Sequence, residues 1–159
     1  MIALAPRATL AAATVLAALV LFAAHGSEIW GGLVPCALCL VERWPYRAAI
    51  AFGVLGLVLP PIQARIATWL FILAMLAGAA AGLTHVGVEQ LWWKSPLPEC
   101  VGPDLAGKSI AERLAAMPER PGKPCDEPTY LIPFLPVSMA MMNLIFCLGV
   151  AGVVLVRRG

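Results

Sequence analysis

Residues 36–59 read CALCLVERWPYRAAIAFGVLGLVL, Cys36 to Leu59, and the fold turns on how this stretch is taken. It is uninterruptedly apolar only from Ala48 to Leu59, which makes roughly 18 Å of helix. A bilayer core of about 30 Å needs around 20 such residues. The stretch therefore spans a membrane only if its helix runs back towards Cys39, taking Glu42, Arg43 and Arg47 into the first turns.

Three further stretches carry no such ambiguity. Together the four predict spans at about 8–25, 40–59, 64–84 and 134–156. Composition supports a membrane setting. Of 159 residues, 61% are hydrophobic and 13% charged, against roughly 45–50% and 25% in soluble domains. The same numbers exclude disorder, and a net charge of +2 gives no reason to expect a nucleic-acid partner. Arg7 and the small residues around Ala24-His25-Gly26 also fit a signal peptide, but the apolar run exceeds the usual 7–15 residues. We read it as a retained span. The expected architecture is an all-α integral membrane protein: an antiparallel bundle of four transmembrane helices.

Four spans put both termini on one side and two loops, about 26–38 and 86–132, on the other. Cys36, Cys39, Cys100 and Cys125 then share one compartment. Arg7, Arg65, Arg157 and Arg158 flank the opposite ends with no acid among them, which places the termini in the cytoplasm. In the second loop, Asp104 to Met117 reads as a short amphipathic helix lying along the membrane surface.

Cys36-Ala-Leu-Cys39 suits a redox pair or half a zinc site. Haem attachment would need His at position 40, which is leucine. Cys100 and Cys125 suit a structural disulfide, and all four cysteines together suit a zinc staple; these alternatives describe a non-catalytic membrane scaffold. The redox reading has local support. On a helix from Cys39, Arg43 lies four residues on and shares a face, and a cation near a helix N-terminus favours the nucleophilic thiolate. Arg47 follows one turn later, where it serves the site or snorkels to headgroups. His25 and His85, near the ends of spans one and three, raise a bis-histidine haem as a further alternative. Cys147, mid-span and one turn after Asn143, reads as a buried inert thiol. A membrane thiol transporter would need more cysteines inside the spans.

Taken together, these residues resemble the bacterial DsbB family of disulfide bond formation proteins. The match extends over nearly the whole chain and is most specific at Cys36-Ala-Leu-Cys39-Leu-Val-Glu-Arg43, with Thr84-His85-Val86 ending span three. The vitamin K epoxide reductase group differs in placing its Cys-x-x-Cys near the last core span. The resemblance implies a quinone-dependent oxidoreductase of the bacterial inner membrane with its cysteines on the periplasmic side. Its soluble partner would be a DsbA-like thiol oxidase, a strong oxidant near −120 mV, and its cofactor ubiquinone or menaquinone. By position, Cys100 would form the mixed disulfide with the partner. Cys125 would pair with Cys100 and exchange with Cys36 through a transient Cys36–Cys125 bond. Cys36–Cys39 would be the second redox disulfide, with Cys39 facing the quinone beside Arg43 and His85. Glu42 and Arg47 are second-rank candidates, and no metal is expected.

Overall fold

The computed structural model describes residues 6–100, 109–115, 122–131 and 136–158. All regular structure among them is helical: α1 (Pro6–Ile29), α2 (Ala37–Val58), α3 (Pro61–Glu89), a 3₁₀ turn at Pro98–Cys100, α4 (Ile110–Ala115) and α5 (Met139–Arg157). Three helices, α1, α3 and α5, are long and apolar enough to cross a membrane. The fourth, α2, has 22 residues, about 33 Å of helix, but carries Glu42, Arg43 and Arg47.

The cysteine motif itself starts α2. Cys36 is the N-cap, its sulfur accepting the Cys39 N–H at 3.2 Å, so one orphan donor of the first turn is satisfied. The helix then runs through Pro45. Pro45 packs against Gly78 of α3, and that contact offsets part of the missing backbone hydrogen bond.

Helix ends depart from the apolar runs in both directions, because caps rather than hydropathy set them. Pro60-Pro61 starts α3, with Pro61 at the first helical position, where a missing N–H costs nothing. At its far end α3 continues past Leu83 through His85 to Glu89, where Leu91 at φ 59° turns the chain. Trp93 then folds back over Gly87 and donates to the Thr84 carbonyl at 3.1 Å. The last span was expected from about residue 134, yet α5 begins at Met139. Ser138 caps it, accepting from Met141 N–H at 3.2 Å and donating to Glu89 of α3 at 2.5 Å. The expected surface helix at 104–117 falls largely outside the described residues; within them α4 covers Ile110–Ala115.

Contacts run in opposing order along each neighbouring pair. Gly56 meets Leu10 and Gly53 meets Thr14 between α1 and α2; Gly56 meets Thr68 and Pro45 meets Gly78 between α2 and α3; Gly78 meets Cys147 and Gly82 meets Leu144 between α3 and α5. The four long helices are therefore antiparallel neighbours, brought close by small residues, as helices in lipid require. Phe71, Ile72, Met75, Tyr46 and Cys147 fill the centre. The outer faces are apolar as well, with Leu19, Val54, Leu73 and Leu148 about half exposed. A surface of that kind is uncommon on a soluble monomer and is the normal outside of a membrane protein.

Candidate thiol relay site

The four non-central cysteines converge at one end of the bundle. Cys100 and Cys125 are bonded at 2.00 Å with Cα atoms 5.0 Å apart. Both are buried in one apolar cluster with Cys36, Leu38 and Val88, with Cys39 packed against it. Cys36 and Cys39 are free thiols with sulfurs 2.9 Å apart. A disulfide thus sits directly against a dithiol, so exchange between the pairs needs short movements rather than a long excursion. The four-cysteine zinc alternative loses two of its ligands to this disulfide.

Cys36 is pushed below the ordinary thiol range. The main cause is the Cys39 thiol, which donates to the Cys36 sulfur, assisted by the Cys39 backbone N–H and opposed by burial. Cys36 is therefore the better nucleophile of the pair near neutral pH.

Behind the sulfurs lies a file of buried polar side chains. His85 is 3% exposed; its Nε2 is 3.5 Å from Cys36 Sγ and its Nδ1 is 2.8 Å from Glu42 Oε1. The Cys36, Cys39 and His85 donor atoms lie within 4.8 Å of one another. Three donors fall one short of a closed structural zinc site. Both ring nitrogens of His85 are engaged, and His25 Nδ1 lies 2.9 Å from the Leu21 carbonyl. That arrangement leaves no bis-histidine haem pair.

Cys39 faces the other way, into a partly open cavity of about 230 Å³ between α1, α2 and α5. Its wall is almost wholly apolar; the exceptions are Cys39, Glu42, Arg43, Tyr46 and Asn143. Both terminal nitrogens of Arg43 face the Glu28 carboxylate at the end of α1. Arg43 Nε, by contrast, is buried without a hydrogen-bond partner. A cationic side chain with an unpartnered donor, on the wall of a mostly apolar cavity beside a thiol, suits a flat molecule carrying a carbonyl acceptor, such as a quinone head.

Of the residues singled out in the sequence, the structure brings together Cys36, Cys39, Glu42, Arg43, His85, Cys100 and Cys125. Arg47 stands apart, exposed and stacked 5.1 Å over Trp44. His85 touches Cys36 and Glu42 but does not line the cavity, so it meets that space only through Glu42. The sequence reading did not single out Glu28, and it missed Tyr46, whose hydroxyl donates to Asn143 Oδ1 at 2.6 Å on the cavity floor. A polar residue in an otherwise apolar helical stretch was the available signal for both.

A family model described as disulfide bond formation protein DsbB matches residues 6–157. Neither a curated protein nor a solved structure matches significantly. With nearly the whole length matched, and two cysteine pairs meeting at one end of a helical membrane bundle, the chain belongs to the DsbB family of membrane disulfide oxidoreductases.

Proposed function

We propose that this protein reoxidises a soluble thioredoxin-like thiol oxidase of the DsbA type and passes the electrons to a membrane quinone. In this reading α2 is the fourth span, the termini are cytoplasmic and the cysteines face the periplasm of a bacterial inner membrane. The observation that carries it is the placement of the two pairs: Cys100–Cys125 packs on Cys36, while Cys39 opens on the cavity beside Arg43.

The partner's thiolate attacks Cys100, forming the mixed disulfide and releasing Cys125 as a thiolate. The partner's second thiolate resolves that bond, leaving both loop cysteines reduced. Cys125 then passes its electrons to the Cys36–Cys39 disulfide by exchange at Cys36. When bound, quinone, either ubiquinone or menaquinone, accepts two electrons and two protons, which draws the exchanges forward. Arg43, on the cavity wall, would favour negative charge next to Cys39 and on a bound acceptor. A scaffold needs only the loop disulfide; it gives no reason for a free dithiol beside it.

A partner variant that keeps only its nucleophilic cysteine tests this assignment. It is expected to be trapped on Cys100, as peptide mass mapping would show. Trapping on Cys36, or none with folded protein, would contradict it.

A further inference from the structure

Oxidising the Cys36–Cys39 dithiol releases two protons as well as two electrons, and the acceptor must receive both in a cavity that is almost entirely apolar. Cys39 lines that cavity and its own proton is already there. Cys36 is buried in the cysteine cluster at 3% exposure and is absent from the cavity wall. Its proton therefore needs a path, and the structure contains one. His85 Nε2 is 3.5 Å from Cys36 Sγ, His85 Nδ1 is 2.8 Å from Glu42 Oε1, and Glu42 lines the cavity.

We propose that His85 and Glu42 carry the Cys36 proton into the cavity, where the Glu42 carboxyl delivers it to a quinone oxygen. This inference rests on the quinone reading above. As the reduced dithiol forms, the Cys36 sulfur gives its proton to His85 Nε2 and is left as the thiolate. The Nδ1 proton passes to Glu42 Oε1, and from there to the acceptor. The electron pair leaves through sulfur, as Cys36 bonds to Cys39 and the disulfide closes. The sum is two thiols and one quinone giving one disulfide and one quinol.

Surroundings favour this use of the pair. His85 and Glu42 are buried at 3% and 8% exposure, so bulk water does not compete for the proton. Each has a reacting neighbour on one side only: Cys36 for His85, the cavity for Glu42. The other titratable groups close by are Cys39, Arg43 and Tyr46 on α2, Cys147 on α5, and Glu89, one turn on from His85 in α3 and held by Ser138. Arg43, held by Glu28, and Asn143, bonded to Tyr46, are a cation and a neutral amide, so neither competes as a base. Glu42 is thus assigned as a catalytic residue and His85 as the base for Cys36.

Two readings on Glu42→Gln test the route, with retention of the Cys100–Cys125 disulfide as the check on folding. In quinone-free, reduced protein, the pH midpoint of Cys36 alkylation by iodoacetamide is expected to rise. With no carboxylate to take the Nδ1 proton, His85 no longer relieves Cys36 of its own; although losing the Glu42 charge by itself favours the Cys36 thiolate, alkylation at neutral pH should slow about tenfold, equivalent to one pKa unit. In anaerobic single turnovers with a short-chain ubiquinone, quinol formation should slow about a hundredfold, the usual scale of one positioned proton donor. Glu42→Asp should recover part of both. If Glu42→Gln does not accumulate, His85→Gln serves for the same two measurements. An unchanged alkylation profile together with unchanged quinol formation in a folded variant would overturn the route alone. No quinol from the unaltered protein would overturn the quinone reading and the route with it.

Discussion

The Glu28 carboxylate, in the last turn of α1, takes both terminal nitrogens of Arg43, on α2, and fixes that guanidinium at the wall of the cavity. The pair also clamps α1 to α2 at the cysteine end, next to the sulfurs. Replacing Glu28 by Gln removes the counter-charge while keeping the shape. We expect a loss of about 1.5–3 kcal/mol, the range for a hydrogen bond to a charged group, read as a lower unfolding temperature in detergent. The freed guanidinium loses its fixed position, so KM for a short-chain quinone should rise more than kcat falls. An unaltered KM would mean that Glu28 only holds the helices together.

Cys36 makes a pH prediction whose sign follows from its lowered pKa. The Cys39 thiol donating to its sulfur is the main cause. The reduced, folded protein therefore holds a Cys36 thiolate at pH values where an ordinary thiol, near 8.5, stays protonated. Its contribution to stability is fully present above the unfolded thiol pKa and is lost as pH falls through the lowered one. Replacing Cys39 by Ala removes the thiol donor, and the alkylation midpoint of Cys36 should move up towards the ordinary value. A midpoint that stays put would show that Cys39 does not set the reactivity of Cys36.

Gly78 tests the packing that holds the site in place. A Cβ at this position would come within 2.9 Å of Cys147 Sγ and 3.3 Å of Pro45. Since Cys147 is fully buried, the sulfur has little room to yield. Gly78→Ala should destabilise by about 1–3 kcal/mol through overpacking, and Cys147→Ala in the same chain should recover part of it. Thermal unfolding of the single and double variants in detergent measures this coupling directly.

The sequence carried the number of long helices and the end of the bundle at which the cysteines gather. Both follow from local information, namely apolar run length and an alternating path. Running α2 back through Arg43 was likewise a matter of length: twelve apolar residues are too few, and the charged turn had to be included. Helix ends were less legible. Ser138 and Glu89 set the start of α5 through a contact between residues 49 apart, which no window of hydropathy reports. The cavity was also out of reach, since it arises where faces of α1, α2 and α5 fail to meet. For the same reason the contact of the His85 ring with both Cys36 and Glu42 was not legible, since it joins residues more than 40 apart. Glu42 gained its place through that contact and through the cavity it lines.

The central claim is that electrons from thiols leave this protein through Cys39 into a quinone. The most direct measurement is anaerobic mixing of a reduced DsbA-like partner, this protein and a short-chain ubiquinone, with quinol followed by ultraviolet absorbance. One quinol is expected per partner disulfide formed, and Cys39→Ala should abolish quinol while leaving Cys100–Cys125 open to attack by the partner. Quinol formed at the normal rate by the Cys39→Ala protein, or none formed by the unaltered folded protein, would contradict the account.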